Sequence, residues 1–285
     1  MMYRIVKVLN HNAFIGIRDR DKCKCLVMAK GIAFGKKTGE NVSAGKDARV
    51  YSLKELTERG SAEEIIRSVP PECLELAGEI LDRAEKEFGQ IDRSILFPMA
   101  DHLAFAVQRI RNREQISNPL TEDIRILFHQ EYKVAQCMEQ LLRERLHVEI
   151  DEHEIGYIAL HVHAAIEDQK VSQAMQLTRA VRDCISLVEK QTGTTIDVMS
   201  LSYNRLMNHI RYMVARALGG EKLKVNMNDY ISIRFPKAFE MAAQVCEEME
   251  KNLKLRLNDV EIGYLAMHLE RVMDTERKED TQGTF

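Results

Sequence analysis

Two stretches of the chain are near copies of each other, and both carry a histidine at the same point. The first reads EIGYIALHVHAAI and contains His161, and the second reads EIGYLAMHLERVM and contains His268. A further pair of stretches, DHLAFAVQR with His102 and NHIRYMVAR with His209, aligns as well. Each pair of histidines is separated by 107 positions. Two anchors with one offset indicate a duplicated domain of roughly 105 residues.

The repeated histidines are compatible with three roles. On a helical wheel each lies at the edge of an apolar stripe, where a ring can satisfy a hydrogen bond or show a nitrogen to solvent. Imidazole also binds zinc and nickel, but the chain has no HExxH motif, and Asp101 and His102 stand in the reverse of the metal-hydrolase order. The third role is phosphoryl acceptance.

Phosphoryl acceptance requires a neutral nucleophile and cationic groups nearby. A histidine with an ordinary pKa of about 6.5 is mostly neutral at cytoplasmic pH, and its free ring nitrogen can attack a phosphoryl donor. Arg109 and Arg216 each lie two helical turns after a repeated histidine, on the same face. The product adds up to two negative charges, which is enough to rearrange a packed interface.

The elements that must position these residues change type along the chain. The first 55 residues indicate antiparallel strands, since YRIVKVL alternates apolar and basic side chains and short turns precede AFIGIRD and CKCLVMA. From about Ser61 onward, apolar residues such as Met99, Leu103 and Ile110 recur at helical spacing. About 55 residues of sheet give a thin core, so we expect the front domain to dimerise.

The sequence therefore predicts an α+β multidomain protein. A small, dimeric antiparallel β domain comes first, and two homologous all-α helical bundles follow it. The predicted domains are 1–57 for the β domain, 64–169 and 172–278 for the two bundles, and 279–285 for a polar tail.

Composition narrows the class of protein. With 45% hydrophobic and 30% charged residues among 285, the chain can bury real cores, and it has no run of the roughly 18 apolar residues that a membrane helix needs. The N-terminus lacks a secretory signal. Six cysteines without framework spacing indicate a reducing compartment. We therefore expect a cytoplasmic protein with no membrane insertion, no metal and no cofactor.

Charge is distributed unevenly. Residues 1–57 contain 12 lysines and arginines against 5 aspartates and glutamates, whereas the remainder contains 29 against 39. A positive segment on an acidic body favours a polyanionic partner at the front of the chain.

Essentially the whole chain resembles the BglG/SacY/LicT family of transcriptional antiterminators, an RNA-binding domain followed by two regulation domains of the phosphotransferase system (PTS). The segments IVKVLNHNAFI and AKGIAFGKKTGE and the paired histidine stretches carry the resemblance. It implies a homodimer that binds an antiterminator hairpin in a nascent leader mRNA and prevents the overlapping terminator from forming. It implies no catalysis by the chain itself.

The resemblance also implies which residues are functional. The sugar permease, through its EIIB component, typically phosphorylates the first regulation domain, and HPr often phosphorylates the second. The acceptors carried over by motif are His102, His161, His209 and His268, and His163 is interpreted as incidental. The implied RNA contacts are Lys7, Asn10, Asn12, Lys30 and Phe34, with Ala29 and Gly35 at neighbouring matched positions.

These RNA-contact types suit their roles, because lysines bind phosphates, asparagine amides read base edges and an aromatic ring stacks on an unpaired base. Where this chain has Ala29-Lys30, some members have Gly-Arg, and lysine lacks the planar fork of arginine. The alternative interpretation of Phe34 is that its side chain is buried in the hydrophobic core. The segments around Gly35 and ALHVHAA look more like glucose-permease antiterminators than β-glucoside or sucrose ones.

Two other functions remain as alternatives. One is a DNA-binding activator built on the same regulation domains, although such proteins usually begin with helix-turn-helix domains. The other is a metal-dependent helical hydrolase.

Overall fold

The computed structural model describes residues 1–54, 56–57, 60–114, 116–168, 170–193, 195–197 and 200–282. The chain forms two compact units. The first comprises Met1–Thr121 and Phe128–Val171, and the second comprises Glu122–Leu127 together with the chain from Ser172 onward. Gln169, the last residue of the predicted first bundle, and residues 283–285 of the predicted polar tail lie outside the described residues.

An antiparallel sheet of five strands begins the first unit, in the spatial order β4-β1-β2-β3-β5. The strands are β1 (Met2–Asn10), β2 (Ala13–Arg18), β3 (Lys24–Met28), β4 (Asn41–Ser43) and β5 (Arg49–Ser52). A separate two-stranded hairpin follows, formed by β6 (Leu56–Thr57) and β7 (Gly60–Ser61).

The alternation that predicted β1 is visible in its burial. Tyr3 and Ile5 are buried, and Arg4 between them is exposed. A register shift against β2 between Ile5 and Lys7 then breaks this alternation, so Lys7 is exposed where a period of two would bury it. On β2, Phe14 joins the same cluster of buried residues, so one face of the sheet forms the core that the period of two requires.

The first unit continues as a bundle of helices that begins with a capping box, in which Ser61 and Glu64 satisfy each other's backbone amides. Its helices are α1 (Ala62–Ser68), α2 (Pro71–Phe88), α3 (Leu96–Arg111), α5 (His129–Ala135), α6 (Cys137–Leu146) and α7 (Glu152–Glu167), and α4 (Thr121–Leu127) spans the boundary between the units.

The second unit is all helical over its described residues. Its main helices are α8 (Val171–Thr192), α9 (Leu201–Gly219), α10 (Asn228–Arg234), α11 (Pro236–Leu253) and α12 (Val260–Gln282). These elements confirm the predicted order of an antiparallel sheet followed by helical bundles.

The 107-residue offset relates the helices of the two bundles. Adding 107 to the residue numbers of α3 gives positions within α9, and adding it to those of α7 gives positions that cover the first part of α12. These four helices carry the repeated histidines. One difference stands out, because α11 is continuous where the first copy breaks into α5 and α6 at Gln136. The helices that present the histidines are thus the parts of the repeat that stay alike.

Within the described residues, no helix combines the length and the apolar character needed to cross a membrane. All six cysteines, which lie in the described part of the chain, are free thiols.

Candidate functional site

The first repeat brings its two histidines together. His102 on α3 and His161 on α7 have ring centroids 5.2 Å apart, with the ring planes inclined by 36°. Both residues are buried, at 7% and 6% exposure, so they lie deeper than the helix-edge positions that the wheel predicted. Tyr157, one turn before His161, lies beside His102 with its ring centroid 5.5 Å away.

A buried glutamate links the first histidine to an arginine. Oε2 of Glu154 lies 3.1 Å from Nε2 of His102, and its Oε1 accepts a 2.6 Å hydrogen bond from Arg109. Burial acts to raise the pKa of the Glu154 carboxyl, but the adjacent ring of His102 and the hydrogen bond from Arg109 hold that pKa below its usual value overall. Glu154 is therefore a carboxylate despite its burial.

The second repeat builds a similar site with a different division of the carboxylate. His209 on α9 and His268 on α12 stack with ring centroids 4.6 Å apart. Arg216 binds both oxygens of the buried Glu261, through two hydrogen bonds of 2.8 Å. Nε2 of His209 is 3.9 Å from the nearer carboxylate oxygen, which is beyond hydrogen-bond distance.

Both histidines of the second site are held neutral. Burial, together with the neighbouring His268 and Arg216, lowers the pKa of His209 to about 3. Burial and the positive charges of Arg271 and Arg205 also lower the pKa of His268. A neutral ring keeps a lone pair on one nitrogen, which is the form that attacks an electrophile.

The tautomer of His161 follows from its hydrogen bond. Its Nδ1 lies 2.8 Å from the carbonyl oxygen of Tyr157, and a carbonyl can only accept. Nδ1 of the neutral ring therefore carries the proton, and Nε2 carries the lone pair.

His163 is directed to a different environment. Its Nδ1 is 2.9 Å from Oε1 of the buried Glu131, and its ring packs on Phe128 at 4.1 Å between centroids. The offset pairs Glu131 with Ala238 in the second copy, so this contact is not repeated.

Glu154 and Glu261 are the site residues to which the sequence analysis gave no role. A signal was present, because each opens its copied stretch and precedes its histidine by seven residues, which is two turns on one helix face. Their pairing with Arg109 and Arg216 depends on the packing of α3 against α7 and of α9 against α12. Within the described residues, no group of histidine, cysteine, aspartate and glutamate side chains could hold a metal ion.

The residues proposed to contact RNA lie on β1, in the turn between β1 and β2, and in the loop after β3. Lys7 is exposed on β1, Asn10 ends that strand and Asn12 lies in the turn. The turn binds the loop after β3, since the Ala29 amide donates to the carbonyl of Asn12 at 2.9 Å. Lys30, the next residue of that loop, is exposed.

Phe34 lies in the same loop and is 69% exposed, which excludes its alternative interpretation as a core residue. Its ring meets His11 edge to face, with centroids 5.1 Å apart. Gly35 beside it has a φ of +68°, a conformation that favours glycine. The loop thus exposes both an aromatic ring and the side chain of Lys30.

Matches to family models cover most of the chain. The CAT RNA binding domain matches residues 3–59, and the PRD domain matches twice, over residues 78–165 and 182–272.

Relatives match over nearly the full length. The β-glucoside operon antiterminator of Dickeya chrysanthemi is 28% identical over 275 residues, covering 94% of this chain and 96% of that protein. Transcription antiterminator LicT of Bacillus subtilis is 26% identical, covering 95% and 99%. The GlcA/glcB genes antiterminator of Staphylococcus carnosus is 25% identical, covering 94% of each.

A solved structure shares the fold of part of the chain. The crystal structure of GlcT CAT-PRDI superposes with a TM-score of 0.50 at 24% identity, covering 58% of this chain and 99% of that one. An N-terminal CAT domain and two PRD repeats, in this order and over almost the whole length, place the chain in the BglG/LicT family of transcriptional antiterminators.

Proposed function

We propose that the chain is a transcriptional antiterminator that binds a hairpin in the nascent leader mRNA of a sugar operon and prevents the terminator from forming. Phosphorylation of its paired histidines by the phosphotransferase system sets its activity. The main support for this proposal is a site that occurs in both helical repeats and contains two adjacent histidine rings, a buried glutamate and an arginine. A basic β domain precedes the two repeats in the chain.

The β domain supports the RNA-binding part of this proposal. The β domain exposes an aromatic ring and two lysines and also carries two asparagine amides, on β1, the turn after it and the loop after β3. These are the groups that stack on bases, bind phosphates and read base edges. The proposed contacts are Lys7, Asn10, Asn12, Ala29, Lys30, Phe34 and Gly35.

The regulation domains support the switching part. A phosphoryl group on His102 would enter a buried site beside the carboxylate of Glu154, and like charges at such a distance repel strongly. Arg109 would then lie near two anions, the phosphoryl group and the Glu154 carboxylate. We expect α3 and α7 to rearrange, because the two anions repel each other and compete for the same guanidinium group. The proposed acceptors are His102, His161, His209 and His268.

The partners and setting are part of the proposal. The EIIB component of the permease and HPr are the phosphoryl donors, the chain acts as a cytoplasmic homodimer, and it catalyses no reaction of its own. We take a glucose-type permease as the donor. A β-glucoside operon antiterminator and a GlcA/glcB genes antiterminator match this chain at similar identity. Phosphoryl donation from a glucose-type EIIB in preference to a β-glucoside EIIB would support the choice.

The RNA part is tested with a labelled hairpin from the leader of the adjacent permease gene, in a gel-shift assay with the full chain. Phe34→Ala should weaken binding by roughly fivefold or more, since one stacked base contributes about 1–3 kcal/mol. Tyr230→Ala is the matched control, because this exposed aromatic lies on α10, outside the β domain. Unchanged binding by Phe34→Ala would contradict the proposed interface.

The switching part is tested by incubating the full chain with the complete phosphorelay and mapping the labelled residues. Label is expected on the paired histidines, and the variant with His102 and His161 replaced by alanine should retain label in the second repeat. A chain that takes no label on any of the four rings would refute histidine control.

A further inference from the structure

Two of the proposed RNA-contact residues are already bound within the chain. The side-chain amide nitrogens of Asn10 and Asn12 both donate to Oε1 of Glu75, at 2.7 Å and 3.1 Å. Glu75 lies on α2, which belongs to the first helical bundle and is more than 60 residues away in sequence. One carboxylate oxygen thus collects both donors.

The asparagines are fixed in the orientation that points these donors outward. Oδ1 of Asn10 accepts a 2.9 Å hydrogen bond from the amide of Asn12, and Oδ1 of Asn12 accepts one of 2.8 Å from the amide of Gly31. Turning either side chain over would place a donor against a donor and break a hydrogen bond of the loop. Each NH2 group is therefore directed away from the sheet domain, toward an acceptor.

Glu75 belongs to an acidic stripe on α2. Glu75, Glu79, Asp82 and Glu85 follow one another at spacings of four, three and three, so they share one helix face. Asp82 and Glu85 form ion pairs with Arg49 of β5, at 3.2 Å and 3.1 Å. The stripe therefore contacts the sheet domain at the asparagines and again at Arg49.

A carboxylate in this position imitates what RNA offers. Base carbonyls, ring nitrogens and phosphate oxygens are acceptors, as is the Glu75 carboxylate, and an asparagine NH2 group that donates to Glu75 must release it to donate to a base. The negative stripe also repels a phosphate backbone that approaches the lysines of the β domain. Arg145, which pairs with Glu75 and Glu79, offsets part of that charge.

We propose that the acidic face of α2 is an intramolecular docking surface that occupies the RNA-binding donors of Asn10 and Asn12 and competes with RNA for them. This inference rests on the proposed RNA-binding function. In this arrangement Glu75 blocks the two asparagine side chains, so RNA binds only when Glu75 releases them. Any signal that moves α2 away from the β domain would then raise RNA affinity without altering a single RNA contact.

The test is the affinity of the full chain for the labelled leader hairpin, measured by fluorescence anisotropy for the wild type and matched variants. Glu75→Ala should bind RNA roughly tenfold more tightly, since the competing acceptor is lost. Glu72→Ala is the control, because it removes the same charge from an exposed position on the same helix. The gain must also disappear when Asn12→Ala is combined with Glu75→Ala.

A second measurement guards against misfolding of the alanine variant. Glu75→Gln keeps the shape and should also bind more tightly, by a smaller factor, since a neutral amide oxygen accepts more weakly than a carboxylate. Without RNA, the side-chain amide NMR signals of Asn10 and Asn12 should shift in both Glu75 variants and stay in place in Glu72→Ala.

The outcomes separate the two proposals. If Glu75→Ala and Glu72→Ala bind the hairpin as the wild type does, while Asn12→Ala weakens binding, the docking surface is refuted and the RNA-binding function stands. If neither the wild type nor Glu75→Ala binds the hairpin, the proposed function itself fails.

Discussion

At the residue scale, the two histidine sites share their components but use the carboxylate differently. Glu154 lies 3.1 Å from Nε2 of His102, whereas Arg216 occupies both oxygens of Glu261 and leaves His209 at 3.9 Å. Burial lowers the pKa of His209 and keeps its ring neutral, whereas Nε2 of His102 faces the carboxylate of Glu154.

The low pKa of His209 predicts how stability depends on pH. Its pKa is about 3 in the folded chain and about 6.5 when unfolded, so between these values the unfolded chain binds more protons. Stability must fall as pH drops below about 6.5. At pH 5 this residue should cost about 2 kcal/mol. In urea unfolding at pH 7 and pH 5, His209→Gln should reduce the loss of stability on acidification by that amount.

The control for this experiment is His129→Gln, which removes an exposed histidine from α5. That variant should lose stability between the two pH values as the wild type does. An equal loss in His209→Gln and the wild type would show that the ring is not held neutral by burial.

At the element scale, the histidine helix of the second repeat depends on a close approach at Gly263. The amide of Gly263 donates to Oδ1 of Asn228 at 3.0 Å, and Nδ2 of Asn228 donates to the carbonyl of Asp259 at 2.8 Å. A Cβ on Gly263 would lie 2.6 Å from that Oδ1 and 3.4 Å from the Asn228 backbone. Asn228 thereby ties the start of α10 to α12.

Gly263→Ala should destabilise the second repeat. The added methyl group forces Asn228 to move and breaks its two hydrogen bonds, at a cost of about 1–3 kcal/mol. Thermal unfolding of the full chain measures the effect as a lower melting temperature. The matched control is Gly219→Ala at the end of α9, where a Cβ would meet open space. If the two variants have the same melting temperature, the close contact at Gly263 does not constrain the packing of α12.

At the scale of the whole molecule, charge separates the RNA-binding part from the regulatory part. Residues 1–57 have an excess of seven positive charges, and the remainder has an excess of ten negative charges. This distribution favours RNA at the β domain and keeps it from the helical bundles. It also lets the acidic stripe of α2 engage the same domain.

Salt dependence should distinguish the two kinds of RNA contact. Each phosphate contact that is lost reduces the slope of log K against log salt by roughly 0.7–0.9. Lys30→Ala should reduce the slope by this amount, whereas Asn12→Ala should weaken binding at every salt concentration and leave the slope unchanged. Binding by the labelled leader hairpin, measured from low to moderate salt, gives both values. An unchanged slope in Lys30→Ala would remove that lysine from the phosphate contacts.

Much of the architecture was predictable, because period and repetition are properties of the sequence. The alternation in β1 predicted the strand, and the bulge between Ile5 and Lys7 altered only which later side chains face the core. The shared offset of 107 predicted two equivalent bundles with a histidine pair in each. The depth of the rings was not predictable, because a helical wheel shows which face a residue takes and not how closely another helix covers it.

The sequence by itself determined the order of the domains, the duplication, the four repeated histidines and the uneven distribution of charge. Only the tertiary structure decided that Glu154 lies between His102 and Arg109, and that Glu75 binds Asn10 and Asn12. The physical reason is range. Spacing along one helix or strand fixes which face a side chain takes, whereas these contacts join residues 45 or more positions apart, and packing alone brings them together.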